Sequence, residues 1–143
     1  MRESGILMHI TSLPTPYGIG TMGKDAYAFV DFLVKAGQRC WQILPLTPTG
    51  YGDSPYQSLG ACAGNHYLID LDTLVDEGLQ KKEEIRNIPW GSNPKRVDFG
   101  AMYAHRMAVL RLAFQRFAPD EAYETFVEQN RSWLEDYALF TAL

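Results

Sequence analysis

Residues 24–46 read KDAYAFVDFLVKAGQRCWQILPL, and two periodicities meet in that stretch. In its first half Ala26, Phe29, Val30 and Leu33 recur at i, i+3, i+4 and i+7, while Asp25, Asp31 and Lys35 fall on the remaining arc. The repeat of an α-helix gathers that apolar set on one stripe. Gly37 can adopt the left-handed conformation that ends a helix. The second half, from Cys40 to Leu44, is a short apolar run stopped by Pro45, which has no N–H to give to a central ladder. It reads as a strand. Further back, residues 5–10 form another apolar run, broken only by His9 and followed by the turn-rich residues 11–23. That is a second strand. Strand, helix and strand within about forty residues make one βαβ unit, with parallel strands and a right-handed crossover.

In α/β folds of this kind, function gathers where loops leave the C-terminal ends of strands. Two such loops are expected, residues 11–23 and residues 47–66. The second is long for a plain connection. Beyond it, residues 67–71 read as a short strand and residues 73–79 as a helical turn or two ending near Gly78. Residues 80–96, broken by Pro89 and Pro94, read as a surface connection with a short helix near 82–85. Tyr103, Met107, Leu110, Phe114 and Phe117 then form a helical stripe closed by Pro119. Tyr123, Phe126 and Val127 begin a further helix. Ser132 and Glu135 have the spacing of a capping box for a last one, carrying Leu134, Tyr137, Ala138 and Thr141. The helical pattern is still running at Leu143, so the chain is expected to be cut there.

The 143 residues are 46% hydrophobic and 21% charged, the balance of a folded globular chain. A net charge of -4 gives no basic face for a phosphate backbone, so nucleic acid is not an expected partner. No apolar run reaches the roughly 20 residues that span a bilayer, and no leader pattern opens the chain. Membrane association is not expected, and a cytoplasmic location is. Cys40 and Cys62 stand in no metal-binding or redox spacing and are expected to be buried thiols in a reducing compartment.

The chemistry concentrates in residues 49–58, TGYGDSPYQS. Gly50 and Gly52 free the backbone and Pro55 stiffens it. Tyr51 and Tyr56 offer flat faces, while Asp53, Ser54 and Gln57 offer acceptors and donors. Such a mixture suits a sugar, whose C–H face packs on aromatic rings and whose hydroxyls need paired polar groups. The composition equally fits a surface loop whose tyrosines pack locally. Asp53 has no second acid in the loop, whereas retaining glycoside chemistry needs two carboxyls about 5 Å apart. Its expected role is to bond a sugar or to hold the loop. His9, on an apolar strand, reads as a core side chain before an active-site one. His66 and His105 have no partner at metal-ligand spacing. Gly18, Gly20 and Gly23 lack the sequence of a phosphate loop.

Residues 50–57, followed by Ala63-Gly64-Asn65 and Leu68-Ile69-Asp70 and preceded by Trp41-Gln42-Ile43-Leu44-Pro45-Leu46, closely resemble the amylomaltase family of 4-α-glucanotransferases, glycoside hydrolase family 77. Ser4-Gly5-Ile6-Leu7, Thr11-Ser12-Leu13-Pro14, Tyr17-Gly18-Ile19-Gly20 and residues 133–140 carry the likeness to both ends of the chain. His66, where the family usually has proline, and residues 59–62, where a bulkier pattern is common, depart from it. The resemblance implies the N-terminal part of a (β/α)8 TIM barrel. Residues 1–79 would give β1-α1-β2 with a substrate-binding loop, and residues 80–143 a mainly helical insertion. It implies transfer of α-1,4-glucan segments between maltooligosaccharides by a retaining double displacement, with no cofactor and with the catalytic carboxylates outside this chain. Residue by residue, Tyr56 resembles the tyrosine that stacks beneath the sugar at the cleavage point, with Ser54 and Asn65 near the same pocket. Tyr51 resembles an aromatic of a glucan-binding surface further out, to which Phe99 and Tyr103 could contribute. Two alternatives stand beside the enzyme: a standalone glucan-binding module without catalysis, and a helical structural protein with an unused loop.

Overall fold

A computed structural model describes residues 2–143. Strand β1, Gly5–Leu7, lies parallel to β2, Cys40–Gln42, with Gly5 opposite Cys40, Ile6 opposite Trp41 and Leu7 opposite Gln42. Helix α1, Lys24–Lys35, makes the crossover, and Gly37 closes it at φ 69°. The βαβ reading therefore holds, although both strands are shorter than the apolar runs suggest. After Leu7 one more ladder bond forms, from Met8 N–H to Gln42 O at 3.0 Å. The chain then tightens into a 3₁₀ turn over Ile10–Ser12. Leu44 N–H, which a longer strand would spend on the ladder, is instead accepted by His9 Nδ1 at 3.3 Å.

Trp41 ties α1 to the strands. Its ring meets Phe29 edge-on at 4.9 Å, and its Nε1–H donates to Met8 O at 2.7 Å. Ile10, Leu13 and Leu68 are buried around this contact, with Ala26, Ile43 and Leu46 against them. Of the α1 stripe, Leu33 is buried, whereas Val30 lies on the exposed side.

Residues 67–71 are not a strand. Asn65 Oδ1 accepts Tyr67 N–H at 2.9 Å and starts a 3₁₀ turn over His66–Leu68, and Asp70 then caps α2, Leu71–Asp76. An Asx side chain bonding the backbone two residues on offers the chain an alternative to a ladder. Gly78 follows α2 at φ 75°. Helix α3, Lys82–Arg86, precedes α4, Phe99–Arg116, which Asp98 caps through Ala101 N–H at 3.0 Å. A bidentate ion pair from Arg116 to Glu84, at 2.6 and 2.7 Å, joins α4 to α3 and lowers the Glu84 carboxyl to about 2.

Two helical expectations need correction. The buried face of α4 is Met102, Arg106, Val109 and Ala113, rotated from the stripe read in sequence, whose Tyr103 and Phe114 are exposed. The displacement follows from Arg106: a cation on the inner face makes that face look polar. The separate helices expected after Pro119 are one, α5, Glu121–Ala142. Asp120 takes the cap through Tyr123 N–H at 2.8 Å, and with no glycine or proline downstream Ser132 is carried inside the helix. The main core joins Tyr17, Ile19, Tyr67 and Leu71 to Ile85, Trp90, Met102 and Val109. Met102 is fully enclosed, and cutting it to alanine would cost roughly 2–5 kcal/mol. Cys40 and Cys62 are exposed and free, not buried. Cys40 lies on a two-stranded sheet whose residues are mostly exposed, with its Sγ 3.7 Å from Glu3 Oε2, and Cys62 lies in the long loop.

Candidate glucan-binding loop

The loop after β2 begins to turn at residue 50, where Asp53 N–H donates to Gly50 O at 3.1 Å. Gly52 sits at φ 96° and Asp53 at φ 58°. Two successive positive φ values require glycine or a short polar residue, and this sequence supplies one of each. A second turn follows, from Gln57 N–H to Ser54 O at 3.1 Å. The backbone thus reverses twice around Pro55, and both tyrosines are carried outward: Tyr51 is fully exposed and Tyr56 72% exposed. Exposed rings of this size make a stacking surface for an apolar sugar face. Ser54, half-buried, accepts only a long contact from Tyr56 N–H at 3.4 Å, and Gln57 is exposed.

Asp53 holds the loop. Its Oδ1 accepts the hydroxyl of Tyr103 on α4, and that bond raises the Tyr103 phenol to about 12. Tyr103 in turn meets Tyr67 edge-on at 6.0 Å. Of the two roles open to Asp53 from sequence, this contact supplies the structural one. The sequence suggests Tyr103 only as a contributor to an outer glucan surface, and nothing in a linear reading pairs it with a carboxylate fifty residues earlier. At the other side of the loop, Gly60 approaches the Tyr137 ring of α5 so closely that a Cβ there would lie 2.6 Å from Cε2.

Asn65 is placed differently from the other candidate residues. Its N–H donates to Leu46 O at 2.7 Å and its Oδ1 is spent on Tyr67 N–H, so its side-chain bond closes a turn and does not reach residues 50–58. With Met22, His66 and Leu74 it lines a cleft of about 560 Å³. His66 is half-buried, and burial followed by the repulsion of Arg106 lowers its pKa. His9 is likewise lowered by burial and is bonded to the backbone, as a core histidine would be, though through an N–H and not a carbonyl. Among the described residues no group of three or more His, Cys, Asp or Glu could hold a metal, and no helix is long and apolar enough to cross a membrane.

The segment after the loop is pinned by a polar network that sequence reasoning missed. Thr21 Oγ1–H donates to Asp70 Oδ2 at 2.5 Å, and Asp70 Oδ1 accepts Thr73 N–H at 2.9 Å. Asp72 accepts the Tyr17 hydroxyl at 2.5 Å and Lys24 Nζ at 2.9 Å, and these bonds lower its pKa. Burial, then Asp72, raises the Tyr17 phenol.

The sequence profile of the 4-alpha-glucanotransferase family, glycoside hydrolase family 77, matches residues 8–143. The chain belongs to this family. It is 51% identical to the 4-alpha-glucanotransferase of Clostridium butyricum over 95% of its own length and 28% of that protein's. It is also 51% identical to the 4-alpha-glucanotransferase of Thermus thermophilus, over 99% of this chain and 29% of the relative. Amylomaltase from Streptococcus agalactiae, solved in complex with acarbose, superposes with a TM-score of 0.91 at 49% identity, over 99% of this chain and 29% of that one. The chain therefore spans under a third of the length of the 4-alpha-glucanotransferases it matches, and its two parallel strands and helices are an α/β portion of the amylomaltase fold.

Proposed function

We propose that this chain forms the N-terminal part of the (β/α)8 barrel of a 4-α-glucanotransferase and carries one wall of its glucan cleft. Residues 1–79 supply β1-α1-β2 and the binding loop, and residues 80–143 a mainly helical insertion. The enzyme cleaves an α-1,4-glucan, keeps the donor as a covalent glycosyl intermediate, and passes it to another maltooligosaccharide. Its nucleophile and acid/base lie outside these 143 residues, so residues 50–57 and Asn65 bind and orient rather than react. The observation that carries the reading is the match, over nearly the whole chain, to an amylomaltase solved with acarbose. The presentation of Tyr51 and Tyr56 on a doubly turned loop gives it a physical basis, with Ser54, Asp53 and Gln57 between them. A cytoplasmic setting belongs to the same reading.

Tyr56 is the residue on which this reading is tested. Stacking against a sugar ring that flattens toward an oxocarbenium-like transition state assists the chemical step more than ground-state binding. In the full-length enzyme Tyr56→Ala is expected to lower kcat on maltotriose about tenfold or more, equivalent to roughly 1.4 kcal/mol of transition-state stabilisation. Tyr51→Ala should chiefly weaken binding of long glucans. Unchanged kcat and kcat/KM for Tyr56→Ala would reduce residues 50–57 to a surface loop.

A further inference from the structure

Arg106 is a guanidinium with no exposed surface, on the inner face of α4. Its Nη2 donates to the carbonyls of Tyr67, at 3.1 Å, and Ile69. Its Nε and Nη1 are buried without a hydrogen-bond partner, and its Cζ lies 5.7 Å from the centre of the Trp90 ring. Burial lowers its pKa to about 10, against the attraction of Asp70, so it remains a cation at neutral pH. Taking a cation out of water is costly unless its donors are well paired, and an apolar side chain of similar volume often serves stability as well or better. Stability alone is therefore a weak reason for an arginine here.

What the arginine does hold is one short piece of backbone. Tyr67 O and Ile69 O go to Arg106, while Leu68 O, between them, accepts Met22 N–H at 2.9 Å. All three successive carbonyls are thus fixed by groups distant in sequence. The turn so fixed is the one Asn65 opens, since Asn65 Oδ1 accepts Tyr67 N–H and Asn65 O accepts Leu68 N–H at 3.0 Å. With Oδ1 committed, the side-chain NH2 is the free donor of Asn65, a residue that lines a cleft of about 560 Å³. We propose that Arg106 is a positioning residue for the transferase reaction: by clamping the Tyr67 and Ile69 carbonyls it sets the Asn65 amide toward the glucan. The inference rests on the reading of Asn65 as part of the glucan cleft, and it adds a residue from α4 to that site.

The test uses the full-length enzyme with Arg106→Met, which keeps the volume and removes both carbonyl contacts, and Asn65→Asp, which keeps the Oδ1 acceptor and removes the donor. Backbone amide exchange and maltotriose kinetics are read on each single variant and on the double, well below their melting temperatures. Arg106→Met is expected to speed exchange of the Tyr67 and Leu68 amides at least about tenfold while the amides of α1 keep their protection. It is expected to lower kcat/KM about tenfold, and the double variant should be no worse than the poorer single, the signature of two residues acting through one contact. A purely structural arginine would give multiplicative losses in the double variant, and that result overturns the proposal, as does unchanged exchange at Tyr67 and Leu68. If exchange rises but Asn65→Asp leaves the kinetics intact, the cleft assignment of Asn65 has failed, and the proposal with it. Should Arg106→Met not fold, Arg106→Lys, which cannot reproduce the planar fork, takes its place with the same readouts and the same overturning results.

Discussion

Tyr103→Phe removes one oxygen and leaves the edge-on ring contact with Tyr67 in place, so it isolates the bond by which α4 holds the loop. A hydrogen bond to a carboxylate contributes roughly 1.5–3 kcal/mol where water is excluded. Here Tyr103 is 49% exposed and Asp53 half-buried, so water can replace much of what is lost. Discounted for that screening, the bond is worth about 1 kcal/mol. Asp53 is also held at φ 58°, a conformation that relaxes more readily once its side chain is released. About 1 kcal/mol is roughly a fivefold rise in the fraction of molecules in which the loop is open. Amide exchange across residues 50–57 and limited proteolysis at Tyr51 and Tyr56 measure that fraction, and both should rise about fivefold without a matching change in α1. Asp53→Asn supplies the partner half of a double-mutant cycle and a spectroscopic check. With the charge gone, the Tyr103 phenol should titrate well below the value of about 12 that Asp53 maintains, moving back toward 10.0. Loop opening that is additive in the two variants, or a phenol that keeps its pKa in Asp53→Asn, would refute the assignment of this bond as the loop's tether.

Two other outcomes are expected. The 143-residue chain expressed alone should show no disproportionation of maltotriose, because the loop offers no pair of carboxylates at the separation retaining chemistry requires; glucose and longer maltodextrins released by the purified chain would contradict that. His66, whose folded pKa lies below the ordinary 6.5, binds a proton more readily when unfolded, so its contribution to stability is present above pH 6.5 and is lost as pH falls through the folded value. Melting curves of the chain should therefore drop on acidification below pH 6.5 and drop less in His66→Gln, and equal acid sensitivity of the two would rule His66 out as a source.

Most of the architecture could be read along the chain because it is local. The α1 stripe, the left-handed Gly37 and the Pro45 stop each depend on residues a few positions apart, and together they yield β1, α1 and β2 in parallel pairing. Residues 50–57 were legible as a doubly turned loop with outward tyrosines for the same reason, since glycines, proline and tyrosines declare a shaped, aromatic loop in sequence. What escaped was set by polar side-chain atoms that a hydropathy pattern does not register, one close in sequence and the others far away. Residues 67–71 are apolar enough for a strand, but the Asn65 side chain takes the Tyr67 N–H first and the ladder never forms. In α4 the periodicity favoured Tyr103 and Phe114, because hydropathy counts Arg106 as an outward residue while the fold buries it against two carbonyls and Trp90.

Helix α4 does more than cover the core. Along one helix, Tyr103 takes the Asp53 carboxylate, Arg106 the Tyr67 and Ile69 carbonyls, Val109 O the Gln80 amide, and Arg116 the Glu84 carboxylate. At 1.5 Å per residue these holds span about 20 Å, one every few residues. They reach, in order, the tyrosine loop, the turn that Asn65 opens, the connection after α2, and α3. The tyrosine loop leaves β2, yet its tether and the clamp on the turn beyond it both come from this single rigid element. A small rotation of α4 would therefore move the loop and the Asn65 turn together, whereas a change in β2 alone would shift only the base of the loop. That arrangement gives the charged residue on the buried side of α4 a structural use, since Arg106 holds the Tyr67 and Ile69 carbonyls from the inner face while Tyr103 and Arg116 make their holds from the exposed side.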